Sequence, residues 1–493
     1  MSNTSPHVVS MVYNRVAGDS RVIKTAQAAL NAGYRATVVG VTSATNIERA
    51  EVEGVRVVLV PNPSGDLGKL GLWGDEHHDD LRLLLGLYVR RAVPDILDLD
   101  PDIIHSHDMI GLKIGAAAKH ALLASGRDIP WVHDLHEFVA GLEGNARSMT
   151  YKPICLGWER EYLGLPDKLT TVSDLLAEKL MRRYSLEEAP QVTYNAPLAG
   201  AFSSTRLDVR SALDLPSNKP LAVFVGGATP LRGCDTIVDA CAQIEGLHLV
   251  FVSQGKYVEE LKSRAIRMGM SDRFHTHPYV PSDQVSSFIR SADLGIHGLV
   301  HYGNAEVALP NKMFEYLHAD LPMVLSDVES MKAFIDEHGI GATFEAGNAA
   351  SCADAIRSVI SESEKFRSRI DAGLKLKYCW ERQEEKIQAI YDALLKKRVD
   401  KVTVERRKAA AQWEVYEAAS LDSAFSYRLA EATRADQIKQ EKAAKIASPL
   451  RTLKAAAPSS KAEMKSNIQT FIGVAKRKGL LEALRRGAAR VFG

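Results

Sequence analysis

The sequence lacks the features of a secreted, membrane-spanning or zinc-binding protein. Its five cysteines are scattered along 493 residues and form no CxxC pair, which argues against a disulfide framework or a zinc site and favours a reducing compartment. No segment reaches the roughly 18 consecutive apolar residues of a membrane-spanning helix. The first residues lack the basic flank and apolar run of a signal peptide. We therefore expect a cytoplasmic protein.

An excess of charge of one sign is also absent from the chain as a whole, since the net charge is only +1. The basic residues are concentrated at the end, because residues 401–493 hold 19 Lys and Arg against nine Asp and Glu. Residues 466–493 can place basic and apolar side chains on opposite faces of a helix. This pattern favours an anionic membrane surface as a partner, with a solvated helix or a coiled-coil surface as alternatives. Aromatic interleaving is absent, so nucleic acid is not an expected partner.

Short apolar runs alternate with helical patterns through the first 400 residues, which predicts parallel, doubly wound sheets. The series restarts after the polar stretch at 214–220, so we expect domains at 1–213 and 214–380, a helix at 381–400 and a helical basic tail at 401–493. The predicted strands are Val8–Val12, Ala36–Val41, Val55–Val60, Asp102–His105, Trp131–His133, Leu169–Val172, Leu221–Val225, Leu247–Val252, Arg273–Thr276, Leu294–Ile296 and Met323–Leu325.

The loops that follow strands are the candidate binding segments, because ligands of such sheets bind outside the carboxyl ends of the strands. After the first strand, Gly18 permits close approach of a ligand to the backbone, and a helix N-terminus follows. Asp19 or Ser20 has the alternative role of a helix cap. The GxGxxG fingerprint of dinucleotide binding is absent from this loop, which disfavours NAD.

A second loop, His133–Glu137, places two histidines and two acids at a strand end. Such a dense polar cluster favours a site over a hydrogen-bonded loop. The HExxH spacing of a zinc site is absent. His105 and His107 flank a similar strand end, and we interpret them as structural.

Two further loops lie in the second half of the chain. Glycines at Gly226 and Gly227 expose main-chain N–H groups to phosphate, and Arg232 adds a fixed charge. In the stretch 308–327, Pro310 suits a helix start, which puts Asn311 and Lys312 in the first turn and Glu315 one turn on. A carboxylate there can bind two vicinal hydroxyls. The alternative is an ordinary polar helix start.

In this order, the loops resemble those of GT-B glycosyltransferases, and among them the retaining glycosyltransferase family 4. The resemblance covers roughly Val8–Lys397. It rests on the segments NRVAGDSRVIKTAQAALNAGYRATVVG, HDLHE, LTTVSDLLAEKL, VTYNAP, FVGGATPLRGCDTIVDA, SADLGIHG and LPNKMFEYLHADLPMVLSD. It implies two Rossmann-like domains that face a cleft, with the acceptor on the N-terminal one, the nucleotide-sugar on the C-terminal one, and the helix at 381–400 crossing back.

The resemblance also implies roles for single residues. Glu315 matches the second Glu of the family's E-x7-E motif, which holds the ribose. Arg232 matches a residue that neutralises the diphosphate, and His136 matches a histidine near the transferred sugar. The expected catalytic residues are His136, Arg232, Lys312 and Glu315. The expected donor-binding residues are Gly18, Gly226, Gly227, Arg232, Asn311, Lys312 and Glu315. The expected acceptor-side residues are Asp19, Arg21, Asp134 and Glu137.

Two positions depart from the family pattern. The first Glu of E-x7-E falls at Val307, with Glu306 one residue away, and whether Glu306 substitutes is open. The family's Arg beside the glycine turn falls at Gly227, so we expect Lys312 to supply part of the missing positive charge.

The expected function is transfer of a sugar from a nucleotide-sugar to a glycan or lipid-linked acceptor with retention of anomeric configuration, in cell-envelope or polysaccharide biosynthesis. We expect no metal and no cofactor, because no DxD motif follows a strand. The expected location is cytoplasmic, peripheral on the inner face of the membrane. A sugar-nucleotide epimerase and a non-catalytic scaffold on the same fold are the alternatives.

Overall fold

The computed structural model describes residues 5–64, 81–144, 146–199, 207–397 and 402–424, without the side chains of 146–150. Within these residues, the first 200 positions form one lobe and positions 207–377 form a second. Each lobe is built on its own sheet. We call them the N lobe and the C lobe.

The N-lobe sheet has eight strands in the order β3-β4-β2-β1-β5-β6-β7-β8. All pairs are parallel except β3 with β4. The order reverses at β1, so the loops after β1 and β5 open at a topological switch point. The strands are β1 His7–Met11, β2 Arg35–Thr42, β3 Glu48–Val52, β4 Val55–Pro61, β5 Ile103–His107, β6 Trp131–Leu135, β7 Lys168–Thr171 and β8 Gln191–Val192.

Helices cover both faces of this sheet and enclose two apolar clusters. They are α1 Ser20–Asn31, α2 Leu81–Asp98, α3 Asp108–Ala124, α4 Ala146–Tyr162 and α5 Asp174–Tyr184. The six predicted strands of this lobe are confirmed. β3 was not predicted, because its sequence ERAEV is polar and largely exposed and so carries no apolar alternation.

The C-lobe sheet is parallel throughout, in the order β11-β10-β9-β12-β13-β14. The five predicted strands are confirmed, and β14 is additional. The strands are β9 Leu221–Val225, β10 His248–Val252, β11 Phe274–His277, β12 Leu294–His297, β13 Met323–Ser326 and β14 Gly341–Phe344.

The C-lobe helices include one correction to the sequence analysis. The helical pattern of the sequence at 364–378 predicts one helix, but two are present, since Asp371 caps the second by accepting the Leu374 N–H at 2.7 Å. The helices are α6 Val209–Ala212, α7 Cys234–Ala242, α8 Lys256–Arg267, α9 Val285–Ile289, α10 Gly303–Val307, α11 Asn311–His318, α12 Glu329–His338, α13 Ala349–Ser361, α14 Ser363–Arg367 and α15 Ala372–Lys377.

The chain then returns to the N lobe through α16, Trp380–Lys396. Trp380 and Tyr391 are buried in the cluster that α1 and β1 also enter, and the Tyr391 hydroxyl lies 2.7 Å from His105 Nδ1. His105 therefore has a partner on α16.

The tail begins with a helix at 404–424, α17. Most of its residues are exposed, as in a solvated helix. One side packs on the N lobe: the Trp413 ring stacks on His120 at 4.2 Å, and Lys113 pairs with Glu417 at 2.9 Å. Residues 425–493, with the basic face at 466–493, lie outside the described residues. No helix in the described ranges is long and apolar enough to cross a bilayer.

Gly295 in β12 is required by packing. A Cβ there would lie 2.3 Å from the ring of Tyr316 on α11. We predict that Gly295→Ala lowers the free energy of unfolding by about 1–3 kcal/mol, because a well-packed core cannot absorb an extra methyl group.

The measurement is chemical denaturation. Gly164→Ala is the matched control, since a Cβ at Gly164 meets nothing within 4 Å. Equal denaturation midpoints for the two variants would show that Tyr316 is not tightly packed on β12.

Candidate active site

A cleft of about 940 Å³ lies between the lobes. From the N lobe it is lined by Gly18, Asp19, Arg21, His136 and Glu137, and from the C lobe by Gly226, Gly227, Arg232, Asn311, Lys312 and Glu315. The structure thus brings together all but one of the residues expected to be catalytic, donor-binding or acceptor-side. The exception is Asp134, which lies behind the lining.

The start of α11 carries two charged groups into the cleft. Tyr316 fixes the helix to the C-lobe sheet, because its hydroxyl donates to the Ile296 carbonyl at 3.1 Å and accepts the Val225 N–H at 3.3 Å. This fixes the orientation of Lys312 and Glu315 on the same helix. Lys312 is only 7% exposed, and its Nζ lies 3.7 Å from the position that a Cβ of Gly226 would take.

Among the described residues, no hydrogen bond or ion pair joins the side chain of Lys312 or Glu315 to another group. The Lys312 ammonium instead lies over the Phe224 ring, 5.4 Å from its centre. Burial, and then Arg232, lowers the pKa of Lys312 to about 7, and burial raises the pKa of Glu315 to about 7. Buried and unpaired charges of this kind are typical of a site that is completed by a ligand.

The glycine turn after β9 is held by its own backbone and by Arg232. The Arg232 guanidinium donates to the Gly227 carbonyl. The Gly226 N–H already donates to the Val252 carbonyl at 3.1 Å, so of the two glycine N–H groups only that of Gly227 has no partner among the described residues. Gly233 has φ +60°, and a Cβ there would lie 1.8 Å from the Gly298 carbonyl oxygen, so this turn admits only glycine.

Asp134 organises the N-lobe wall. It is 1% exposed and accepts two 2.7 Å hydrogen bonds from Arg21, one of 2.7 Å from Thr170 Oγ1 and one of 2.9 Å from His136 Nε2. Burial alone would raise the pKa of Asp134, but Arg21 and His136 hold it well below its usual range. Burial would likewise lower the pKa of His136, but the Asp134 carboxylate raises it above its ordinary value.

Several expected acceptor-side groups are thereby engaged in the protein itself. Arg21 lines the cleft, but its guanidinium is taken up by Asp134 and Thr193. Asp19 caps α1 by accepting the Val22 N–H at 3.2 Å, and it also accepts from Asn14 at 2.8 Å. The capping alternative is therefore realised at Asp19.

Gly18 is free of packing constraints. A Cβ at this position would meet nothing within 4 Å, so the glycine leaves space in the cleft instead of serving the fold. Glu306 lies outside the lining of the cleft. It accepts from His301 at 2.7 Å and from the Glu329 N–H at 2.8 Å, and these bonds hold its carboxylate outside the lining.

His107, Asp134 and His136 place ligand atoms within 4.8 Å of one another, as in a metal site. The donor set does not fit a divalent cation, however. Both oxygens of Asp134 already accept from Arg21, and a guanidinium in direct contact with the carboxylate repels a second cation.

The sequence analysis missed Asn304 and Lys24. Asn304 lies on α10, a short helix without a recognisable pattern, and reaches the N-lobe loop after β6. Lys24 Nζ donates to the Ala196 carbonyl at 2.6 Å, and burial, followed by Arg21, lowers its pKa to about 7 while Glu315 opposes this. Both roles depend on contacts between distant parts of the chain, so no local signal marks them.

Comparisons with protein families and known proteins agree with this architecture. Residues 20–196 match the family "Glycosyl transferase 4-like domain", and residues 206–375 match the family "Glycosyl transferases group 1". The D-inositol 3-phosphate glycosyltransferase of Xylanimonas cellulosilytica is 24% identical over 324 residues, which are 60% of this chain and 73% of that protein. A putative teichuronic acid biosynthesis glycosyltransferase of Bacillus subtilis is 25% identical over 49% of this chain and 57% of its own.

Solved structures share the fold. Sucrose-phosphate synthase from Thermosynechococcus elongatus superposes with a TM-score of 0.63 at 15% identity, over 79% of this chain and 99% of that one. Anabaena HepE in complex with UDP and glucose gives a TM-score of 0.60 at 15% identity, over 79% and 100% of the two chains. The expected GT-B architecture is confirmed.

The unpaired ammonium of Lys312 leads to a prediction on pH. Pyrophosphate should bind in the cleft, and its affinity for the wild type should fall relative to that for Lys312→Arg as the pH rises above about 7. Above its pKa the free lysine is neutral and must take up a proton on binding, which costs about tenfold per pH unit, whereas arginine stays charged.

Isothermal titration between pH 6 and 9 measures the ratio of the two affinities, which cancels the titration of pyrophosphate itself. Lys332→Arg, on an exposed helix face outside the cleft lining, is the matched control and should follow the wild type. A constant ratio for Lys312→Arg would mean that Lys312 does not bind the anion.

Proposed function

The chain belongs to family 4 of the GT-B glycosyltransferases, and we propose that it transfers a sugar from a nucleotide-sugar to a glycan or lipid-linked acceptor with retention of anomeric configuration. The observation that carries the proposal is the cleft into which Arg232, Lys312 and Glu315 face His136 across the lobes. We assign the donor to the C lobe and the acceptor to the N lobe.

The groups on the C lobe suit a nucleoside diphosphate. The unpaired Glu315 carboxylate accepts from two vicinal hydroxyls, which matches a ribose. Lys312 and Arg232 lie on the two sides of the glycine turn, where their positive charges stabilise the diphosphate as its bond to the sugar breaks. In this assignment the two cations neutralise the leaving group without a metal.

His136 supplies the N-lobe contribution. Its Nε2 is hydrogen-bonded to the Asp134 carboxylate, and no described residue is hydrogen-bonded to its Nδ1. The imidazole is therefore held in one orientation by a carboxylate that never faces the cleft. We assign His136 to the transferred sugar, and we assign Arg21 and Asp134 to positioning of that histidine rather than to the acceptor. The bond between the anomeric carbon and the diphosphate oxygen then breaks, the acceptor oxygen bonds to that carbon on the same face, and the acceptor proton passes to the leaving phosphate, so the configuration is retained.

The acceptor class follows from indirect support. The chain resembles glycosyltransferases whose names refer to inositol 3-phosphate and to teichuronic acid, and its tail is strongly basic. A basic tail brings an enzyme to anionic lipid, where lipid-linked glycans are concentrated. We propose a role in cell-envelope or polysaccharide biosynthesis at the inner membrane face.

The function is tested by incubating the protein with UDP-, GDP- and dTDP-sugars and following release of nucleoside diphosphate with and without acceptor extracts, in the presence of EDTA. We expect acceptor-dependent release that EDTA leaves unchanged, and an anomeric carbon of unchanged configuration in the product by NMR. Release without acceptor and with formation of a new sugar-nucleotide would indicate an epimerase, and the absence of release with every donor would contradict the proposal.

Glu315→Gln tests the assignment of the ribose. A hydrogen bond to a charged group is worth about 1.5–3 kcal/mol, so the variant should bind the released nucleoside diphosphate about tenfold or more weakly. The wild type should also prefer the ribonucleotide to its 2′-deoxy form, and the variant should lose this preference.

Glu306→Gln is the matched control, because Glu306 lies beside the cleft but bonds to α12 and His301. Its affinities should equal those of the wild type. If Glu315→Gln retained the full preference for the 2′-hydroxyl, Glu315 would not be the ribose ligand.

The basic tail is tested by flotation with vesicles. The full chain should float with vesicles that contain anionic phospholipid and not with neutral ones. Reversing the charges of Lys476, Arg477 and Lys478 to Glu should abolish flotation. Deletion should begin after residue 424, because α17 is packed on the N lobe. Equal flotation of the deleted and full chains would remove the tail from the proposal.

A further inference from the structure

α10 belongs to the C lobe but is embedded in the N lobe. The Val307 side chain is 1% exposed and lies in the apolar cluster of the N-lobe sheet. Ser173, the N-cap residue of α5, donates to the Val307 carbonyl at 2.5 Å. At the other end of the helix, a Cβ on Gly141 would lie 2.3 Å from the Gly303 carbonyl carbon, so the two backbones are in direct contact.

Between these two contacts, Asn304 binds the loop that follows β6. Its side-chain oxygen accepts the Phe138 N–H at 2.7 Å, and its side-chain nitrogen donates to Glu137 Oε2. The second oxygen of Glu137 has no hydrogen-bond partner among the described residues. The C lobe thus fixes an N-lobe carboxylate and leaves half of it available at the lining of the cleft.

The charges around Glu137 define its position further. Burial, followed by Asp108, raises its pKa to about 6, while Asn304, His136 and Arg232 oppose this. The carboxylate therefore lies within electrostatic reach of His136 on one lobe and Arg232 on the other. A donor whose diphosphate contacts Arg232 would extend its sugar towards His136, and so past Glu137.

We propose that Glu137, positioned by Asn304, is the carboxylate that binds hydroxyl groups of the transferred sugar. This inference rests on the proposed function and names a residue for the part of the donor that Glu315 does not reach. In this chain Val307 fills the position where the family pattern has an acid, and Glu306 is bound to α12 and His301. The carboxylate is supplied instead by the loop that α10 touches.

The attachment to α10 distinguishes this role from contact with the acceptor. A group that binds the donor sugar must keep its position relative to the donor diphosphate, which the C lobe binds. Asn304 provides that link, because it is on the C lobe and bonds both the side chain of Glu137 and the next peptide. An acceptor ligand would need no such bond to the opposite lobe.

The test compares binding of UDP with binding of UDP-glucose, UDP-galactose and UDP-N-acetylglucosamine, by titration calorimetry. Glu137→Gln keeps an oxygen that can accept from Asn304 but removes the charge. We expect the affinity for UDP to change less than twofold, and the affinity for at least one sugar-nucleotide of the three to fall roughly tenfold, the loss of a charged hydrogen bond to hydroxyl.

Asn304→Ala tests the positioning. It should lower the affinity for the same sugar-nucleotide while sparing UDP, and it should add little to Glu137→Gln, because both changes remove one contact. Glu143→Gln, an exposed acid on the same loop, is the control and should match the wild type in every titration.

The possible failures are distinguishable. If the wild type bound neither UDP, GDP or dTDP nor any of their sugar-nucleotides, the proposed function itself would fail, whereas binding of GDP or dTDP alone would move the same comparison to the sugar-nucleotides of that base. If Glu137→Gln lowered the affinity for UDP as much as that for the sugar-nucleotides, or lowered neither, the assignment of Glu137 would be wrong. The assignment of the donor site on α11 would be unaffected. Full additivity of Asn304→Ala and Glu137→Gln would overturn the positioning role.

Discussion

Lys312 and Glu315, which form no hydrogen bond or ion pair with any described residue, are the constraint on which the cleft wall of the C lobe depends. Removing an ionised group from water without such a bond is costly, and on α11 Lys312 is buried and Glu315 is partly buried. The fold holds them there through apolar contacts elsewhere on the helix, where Phe314, Tyr316 and Leu317 are fully buried. The stability of this packing keeps the charges in position for a ligand.

The N lobe differs from the C lobe, because its buried charge, the Asp134 carboxylate, has hydrogen-bonding partners. Asp134 is buried, yet its hydrogen-bonding partners lie on four different parts of the N lobe: Arg21 on α1, His107 on β5, Thr170 on β7 and His136 in the following loop. A carboxylate so surrounded is rigid and stays ionised. It therefore suits the role of orienting a neighbour. The neighbour that lines the cleft is His136, whose pKa the Asp134 carboxylate raises.

Much of this could be read from the sequence, because strands and the loops after them leave local signals. Eleven apolar runs correspond to strands, and the rule that ligands bind at carboxyl ends selected the loops of Gly18, His136, Arg232 and Glu315. The turn at Gly233 and the helix that starts at Pro310 are also determined by the residues at those positions. The prediction worked where one residue or one short period determines the structure.

The sequence could not reveal pairings between distant residues. Arg21 and Asp134 are 113 positions apart, so their roles as a buried pair could not be separated from an exposed role in binding. The helix α10 is too short to show a period, and β3 is polar. Asn304 became visible only once α10 was seen to touch the N lobe. Burial of a charged group and contact across the cleft are tertiary properties, and they decide the function of each side chain here.

The substitution at Val307 connects these features. An acid at that position would have to leave the N-lobe apolar cluster or be buried there unpaired, which is unfavourable. With valine, α10 instead anchors the two lobes through the contacts of Ser173 and Gly141. The same anchor places Asn304 against Glu137, so the apolar packing of Val307 and the positioning of a carboxylate at the cleft have a single structural cause. In this chain, apolar packing between the lobes and the polar chemistry of the cleft are set by the same short helix.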